Sequence, residues 1–235
     1  MSKKKKELRI AVDERYVRDI VTDEELLSYR CDEISLPRMS KQVQEIILEM
    51  KNTIRKHNLK GLSANQIDYA GRIICLNFDG DIRTYINPII TKAEGVELSR
   101  ETCSSIPGKT FIRIRNTKIE IMYQTPLAKI ETAEFVGMAA RIMQHHMDHL
   151  DGILVSDIGF EIDEDFDNAT EEERQQVIEA YLDALDMAKE NIDKDIKEDE
   201  EAQKFFEAIK FTESVQKGET VVENFKVDEK SIKEE

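Results

Sequence analysis

Three of the four histidines in this 235-residue chain fall within nine residues, Gln144-His145-His146-Met147-Asp148-His149-Leu150-Asp151-Gly152. On an α-helix, at about 100° per residue, His145 and His149 lie one turn apart on nearly the same face. Two imidazoles so placed hold a metal ion from a single helix, as they do in H-E-x-x-H helices. His146 stands where such helices carry a glutamate and points about 100° away from His145, off the ligand face. The same spacing also suits a solvated histidine cluster at the end of an amphipathic helix. The choice depends on what else the chain supplies.

Charge divides the chain in two. Residues 158–235 carry 26 acidic and 10 basic side chains, a net −16, whereas residues 1–157 carry 23 and 24. A near-neutral body is therefore expected over 1–158, followed by an acidic extension over 159–235. The extension's charge argues against a grip on a phosphate backbone, and no direct DNA binding is expected. Cys31, Cys75 and Cys103 are an odd, scattered set that makes no disulfide framework and suits a reducing compartment. No apolar run approaches the roughly 18 residues of a membrane span. The basic start, Lys3 to Lys6, leads only into Ile10-Ala11-Val12, too short for a signal-peptide core. A soluble, cytoplasmic protein without membrane contact is the expectation.

Residues 1–38 read as irregular. A helix is expected from Met39 to about Asn58, with Ser40 as its cap and Val43, Ile46, Ile47, Met50 and Ile54 on one face. The small residues of Gly61-Leu62-Ser63-Ala64-Asn65-Gln66 permit close backbone approach, and Gln66 can donate into a cleft or simply cap a turn. Arg72–Phe78 reads as a buried strand turning at Asp79-Gly80, with Cys75 as core packing. Tyr85–Ile90 reads as a strand broken at Pro88, near an edge or a bend. Glu101–Gly108 reads as a polar loop around Cys103. Phe111–Arg115 and Lys118–Tyr123 alternate as half-exposed antiparallel strands do, and Lys129–Thr132 extends that sheet. The histidine helix should run from about Val136-Gly137 to Gly152, a glycine suited to a C-terminal cap. It would carry Met138, Ile142, His145 and His149 on one face, with Arg141 at the border turned to solvent. In the extension, Thr170 and Glu173 form a capping box opening a long amphipathic helix. A short helix is expected near Phe205–Phe211, and a mobile end over the last ~20 residues.

Taken together, three stretches resemble the motifs of the peptide deformylase family. They are Gly61-Leu62-Ser63-Ala64-Asn65-Gln66, Glu101-Thr102-Cys103-Ser104-Ser105-Ile106-Pro107, and the histidine stretch Gln144–Gly152. They stand in the family's order and spacing, and the resemblance covers residues 8–158. It implies an α+β fold with antiparallel sheets around a central metal-binding helix, here followed by a helical acidic extension. It also implies that Cys103, His145 and His149 are ligands of one divalent metal, Fe2+ first, with Zn2+, Ni2+ or Co2+ able to substitute. Gln66 and the backbone N–H of Ser104 would stabilise an oxyanion, and Gly61 and Leu62 would border the substrate. Met138 and Ile142 would line the pocket for a methionine side chain. Arg115 would be structural, and Asp148 would support a ligand histidine or form a local salt bridge.

The departures bear on activity. His146 replaces the family glutamate that acts as general base and then proton donor. A neutral imidazole has suitable basicity near pH 7 but brings no negative charge. Thr102 replaces the glycine before the cysteine, and Ser104 replaces a leucine. The reading these residues favour is removal of the formyl group from N-terminal formyl-methionine of nascent peptides, with His146, Gln66 and Ser104 as the catalytic set. The alternatives are a metal-binding, catalytically silent relative serving as a binding module, or an amidase with an altered substrate. Some family members dock on the ribosome through C-terminal extensions. An extension this acidic suits a basic protein partner better than RNA.

Overall fold

The computed structural model describes residues 11–35 and 41–195. The expected Ser40 cap, the helix near 205–211, the basic start and the expected mobile end lie outside the described residues.

Two helices give the molecule its layers. The first long helix, α2 (Lys41–His57), follows a 3-10 turn (Glu14–Tyr16) and a four-residue helix, α1 (Glu24–Leu27), so the N-terminal segment is not wholly irregular as expected. It buries Val43, Ile46, Ile47, Met50 and Ile54, the positions its three- and four-residue spacing marked. They pack on strands β1 (Gly61–Ser63) and β2 (Ile73–Phe78), with Leu62, Ile73 and Cys75 in the same cluster. β2 turns at Asp79-Gly80 into β3 (Asp81–Glu94). The sheet is completed by β6 (Lys118–Gln124) and β7 (Ile130–Val136), in the order β1-β2-β3-β6-β7 with every pair antiparallel.

Pro88 does not end a strand or lie at an edge. It sits inside β3, the middle strand of five, at a shift of register between Ile86 and Ile89. Asn87 adopts φ 49° there. The bulge interrupts the hydrogen-bond ladder where proline has no N–H to offer, so the bend expectation holds and the edge expectation does not.

A second antiparallel sheet, ordered β4-β5-β8, comprises β4 (Glu97–Cys103), β5 (Ile106–Arg115) and β8 (Phe160–Ile162). The expected loop at 101–108 is instead a tight hairpin. Cys103 is the last residue of β4 and pairs with Ile106, leaving only Ser104-Ser105 to reverse the chain. Phe111–Arg115 is not half exposed either, because all five residues are buried, Arg113 and Arg115 included. Their alternation separates apolar from charged partners, not core from solvent.

Between the sheets runs α3 (Met138–Leu150), bordered by Gly137 and by Gly152 at φ 71°. It touches β1, β2 and β7 along one side. Its other side meets β4 and β5 through the polar contacts described below. So enclosed a helix has little solvent face, and Arg141, expected outward, is only 8% exposed. Beyond α4 (Val155–Ile158) and β8, α5 (Glu164–Asn168) leads to α6 (Glu171–Asp195). Thr170 and Glu173 make the expected capping box. Ile178 and Tyr181 of α6 are buried against Ile112 and Ile114 of β5. The Tyr181 hydroxyl donates to the Ile158 carbonyl at 2.9 Å.

Candidate metal centre

Cys103 reaches the centre from the end of β4, and His145 and His149 reach it from successive turns of α3. Their ligand atoms all lie within 4.8 Å of one another, and all three residues are buried. Cys103 Sγ stands 3.2 Å from His149 Nε2. A tetrahedral ion with metal–sulfur and metal–nitrogen bonds near 2.3 and 2.1 Å spaces such donors about 3.6 Å apart. One thiolate and two imidazoles are also a donor set suited to first-row divalent ions. The residues present fit a metal, and the solvated-cluster reading of the histidines is excluded by their burial.

Charge within the site agrees. Burial alone would raise the Cys103 thiol, but hydrogen bonds and charge from His145 and His149 outweigh it and bring the pKa down to about 5. Burial would lower His145, yet the Cys103 thiolate and the Glu101 carboxylate beside it hold it above the ordinary histidine value.

Glu101, the first residue of the cysteine motif, belongs to the site although its sequence position does not mark it as a functional residue. Its Oε2 lies 2.9 Å from His145 Nδ1, which turns the ring's other nitrogen to the centre. Arg115 grips the same carboxylate through Nε and Nη2 at 2.6 and 2.8 Å. Burial opposes the Glu101 charge, but Arg115 and His145 keep the carboxyl well below the usual range. Arg115 also binds Asp148 at 2.6 Å, and Arg113 pairs with that same carboxylate. Asp148 thus takes the salt-bridge alternative, and Arg115 is structural. The available signal was strand periodicity: Glu101 and Cys103 are two apart on β4 and share a face.

Gln66 lies on a 3-10 turn, Ala64–Ile67, directly after β1. Its Oε1 accepts from the Ser63 N–H at 3.0 Å, and its Nε2 donates to Ser105 Oγ at 3.0 Å while lying 3.9 Å from Cys103 Sγ. The amide is therefore held at the cysteine hairpin, where Ser104 itself is exposed. His146 is not among the clustered donors. Its ring is buried against β1, with Nδ1 2.9 Å from Ser63 Oγ. A Cβ on Gly61 would overlap His146 Nε2 and Leu76, so that position accepts only glycine while the ring stays in place. Burial first, then the charges of His145 and His149, push His146 below its ordinary value, so it is neutral.

Other expected residues are less central. Leu62 is fully buried in the α2 cluster and does not line an open cleft. Met138 is partly exposed at the start of α3, and Ile142 is half-buried against the cluster containing Phe135 and Met143. Two contacts went unforeseen. Asn65 Nδ2 donates to the His149 carbonyl at 2.6 Å, and Gln144 exchanges two hydrogen bonds with the Asn116 backbone at 2.9 and 3.0 Å. Both tie α3 to its neighbours.

Comparison with known proteins agrees with this geometry. The family model described as polypeptide deformylase matches residues 17–161. A peptide deformylase of Chlorobaculum tepidum is 33% identical over 130 residues, covering 52% of this chain and 69% of that protein. One from Thermoanaerobacter pseudethanolicus is 30% identical over 165 residues, covering 70% and 98%. Among solved structures, a peptide deformylase from Synechococcus elongatus in complex with actinonin superposes with a TM-score of 0.57 at 27% identity, covering 62% of this chain and 81% of that one. Another, from Thermotoga maritima, gives 0.56 at 27%, covering 60% and 95%. With motifs, buried donor set and fold all in agreement, the chain belongs to the peptide deformylase family.

Proposed function

We propose that this chain removes the formyl group from the N-terminal formyl-methionine of nascent peptides, by hydrolysis at the Cys103–His145–His149 centre. The convergence of one sulfur and two imidazoles on a point flanked by the Gln66 amide carries the reading. A divalent ion held by these three residues, Fe2+ in the first instance and Zn2+ or Ni2+ as substitutes, supplies Lewis acidity that makes water a competent nucleophile near neutral pH.

The remaining work falls to the chain's own groups. Gln66 Nε2 and the Ser104 backbone N–H donate to the formyl oxygen as it gains charge. Removing one such donor costs about 10²–10³ in rate in other hydrolases. β1, at the edge of its sheet, offers its backbone at Gly61 to the peptide. His146, neutral and beside Gly61, accepts a proton from water and returns it to the departing amine, and burial makes it a weaker base than the ordinary imidazole its sequence position led one to expect. Met138 and Ile142 border the methionine side chain. The reaction belongs in the cytoplasm, where formylated chains emerge. The acidic extension suits a basic protein partner at the ribosome better than RNA.

The test is turnover of formyl-Met-Ala-Ser by protein reconstituted anaerobically with Fe2+. Wild type should release formate, and His146→Ala should lose roughly 10²–10⁴ in kcat. A silent wild type beside an active His146→Glu variant would overturn the proposal in favour of a catalytically silent relative.

A further inference from the structure

We infer that Ser63 is the positioning residue for His146: its hydroxyl fixes the imidazole with the proton on Nδ1 and leaves Nε2 bare beside Gly61. The inference rests on the deformylase reading of the site, which supplies the reason a bare nitrogen is needed there.

A serine hydroxyl has one hydrogen and two lone pairs. Ser63 Oγ lies 3.1 Å from the backbone carbonyl of His146 and 2.9 Å from His146 Nδ1. A carbonyl can only accept, so the one hydroxyl hydrogen is directed to it. With both contacts made as hydrogen bonds, the oxygen has only acceptor capacity left for the ring, and Nδ1 donates to it. Ser63 is fully buried. In a neutral imidazole the other nitrogen is then an acceptor, and Nε2 faces Gly61, whose missing Cβ gives it room.

Ser63 acts in two directions. Its backbone N–H holds Gln66 Oε1, which turns Nε2 of that amide to the cysteine hairpin, while its side chain holds His146. One residue of a three-residue strand thereby orients both the donor to the formyl oxygen and the group that moves the proton. The proton balance closes. Water gives a proton to bare Nε2 as the C–O bond forms. Nε2–H returns it to the amide nitrogen as the C–N bond breaks, and the ring ends as it began. A ring that started with Nε2 protonated could do neither in that order.

Nitrogen-15 NMR of the histidine side chains in the full-length Zn2+-loaded protein tests this without reference to turnover. The chain has only four histidines, and His146→Gln identifies the relevant signals. Wild type should show His146 protonated at Nδ1. Ser63→Ala should move it toward the Nε2–H form and lower kcat on formyl-Met-Ala-Ser by roughly 10–100-fold with KM and metal content kept, and Ser63→Thr should restore both. An Nε2–H signal in wild type overturns the inference, and that spectrum alone decides if Ser63→Ala does not fold. An unchanged tautomer in Ser63→Ala overturns it equally. A wild type with the Nδ1–H form but no turnover supports the tautomer assignment and removes the deformylase reading instead.

Discussion

Glu101 shows how much rests on a single side chain. Its carboxylate joins His145 of the candidate metal centre to a buried guanidinium, and Arg115 in turn shares Asp148 with Arg113. Two acids and two arginines thus neutralise one another inside the protein, and removing one member leaves a buried charge without its partner. Glu101→Gln should cost about 3–5 kcal/mol by chemical denaturation and weaken metal binding by roughly 10–100-fold. The pH dependence has a definite sign. The folded carboxyl titrates well below its unfolded value, so its stabilisation is complete above about pH 4.3 and drains away as the pH falls further. The Tm of the metal-free protein should therefore drop on acidification, and Glu101→Gln should flatten that drop. The i, i+4 pair His145 and His149 was legible in the sequence because histidine is scarce here and its helical spacing is informative, whereas Cys103 stood out only through the motif it shares with the deformylase family. Glu101, Ser63 and Asn65 were not legible, since each is an ordinary residue whose importance arises from a partner 44, 83 or 84 positions away.

Helices with one apolar face were readable to within a residue or two. In α2 the three- and four-residue recurrence survives folding because one side is covered, whereas α3, enclosed between the sheets, carries apolar residues toward one sheet and buried polar ones toward the other. Strands were harder. β5 alternates apolar and charged like a half-exposed strand, yet its arginines face buried carboxylates, a distinction invisible to a pattern of polarity. Pro88 misled for a related reason: a bulge lets a middle strand carry a residue that sequence assigns to edges. The end of α3 gives an element-level prediction. Gly152 combines φ 71° with a position where a Cβ would overlap the Ser28 carbonyl. Gly152→Ala should therefore destabilise the fold by about 1–3 kcal/mol, seen as a lower denaturation midpoint at unchanged slope. Since Cys31 N–H binds the Leu150 carbonyl at 2.8 Å, loosened protection of the 28–31 segment in hydrogen exchange should accompany it.

At the scale of the molecule, the family match stops at residue 161, but the packing does not. Ile178 and Tyr181 are buried on the far side of β5, the strand whose arginines hold Glu101 and Asp148. Ending the chain before Thr170 should lower stability by roughly 3–6 kcal/mol, from two side chains at about 1.5–3 each. The shortened protein should still take up a divalent metal, which separates support from chemistry. That helix consequently has two unequal sides in evolutionary terms. The positions that lean on β5 are bound to the history of the body and should tolerate only shape-preserving exchanges. Its outward residues, among them Glu172, Gln176, Glu179 and Asp183, are exposed and free to drift. A library randomised along this helix and selected for folding should return just that asymmetry.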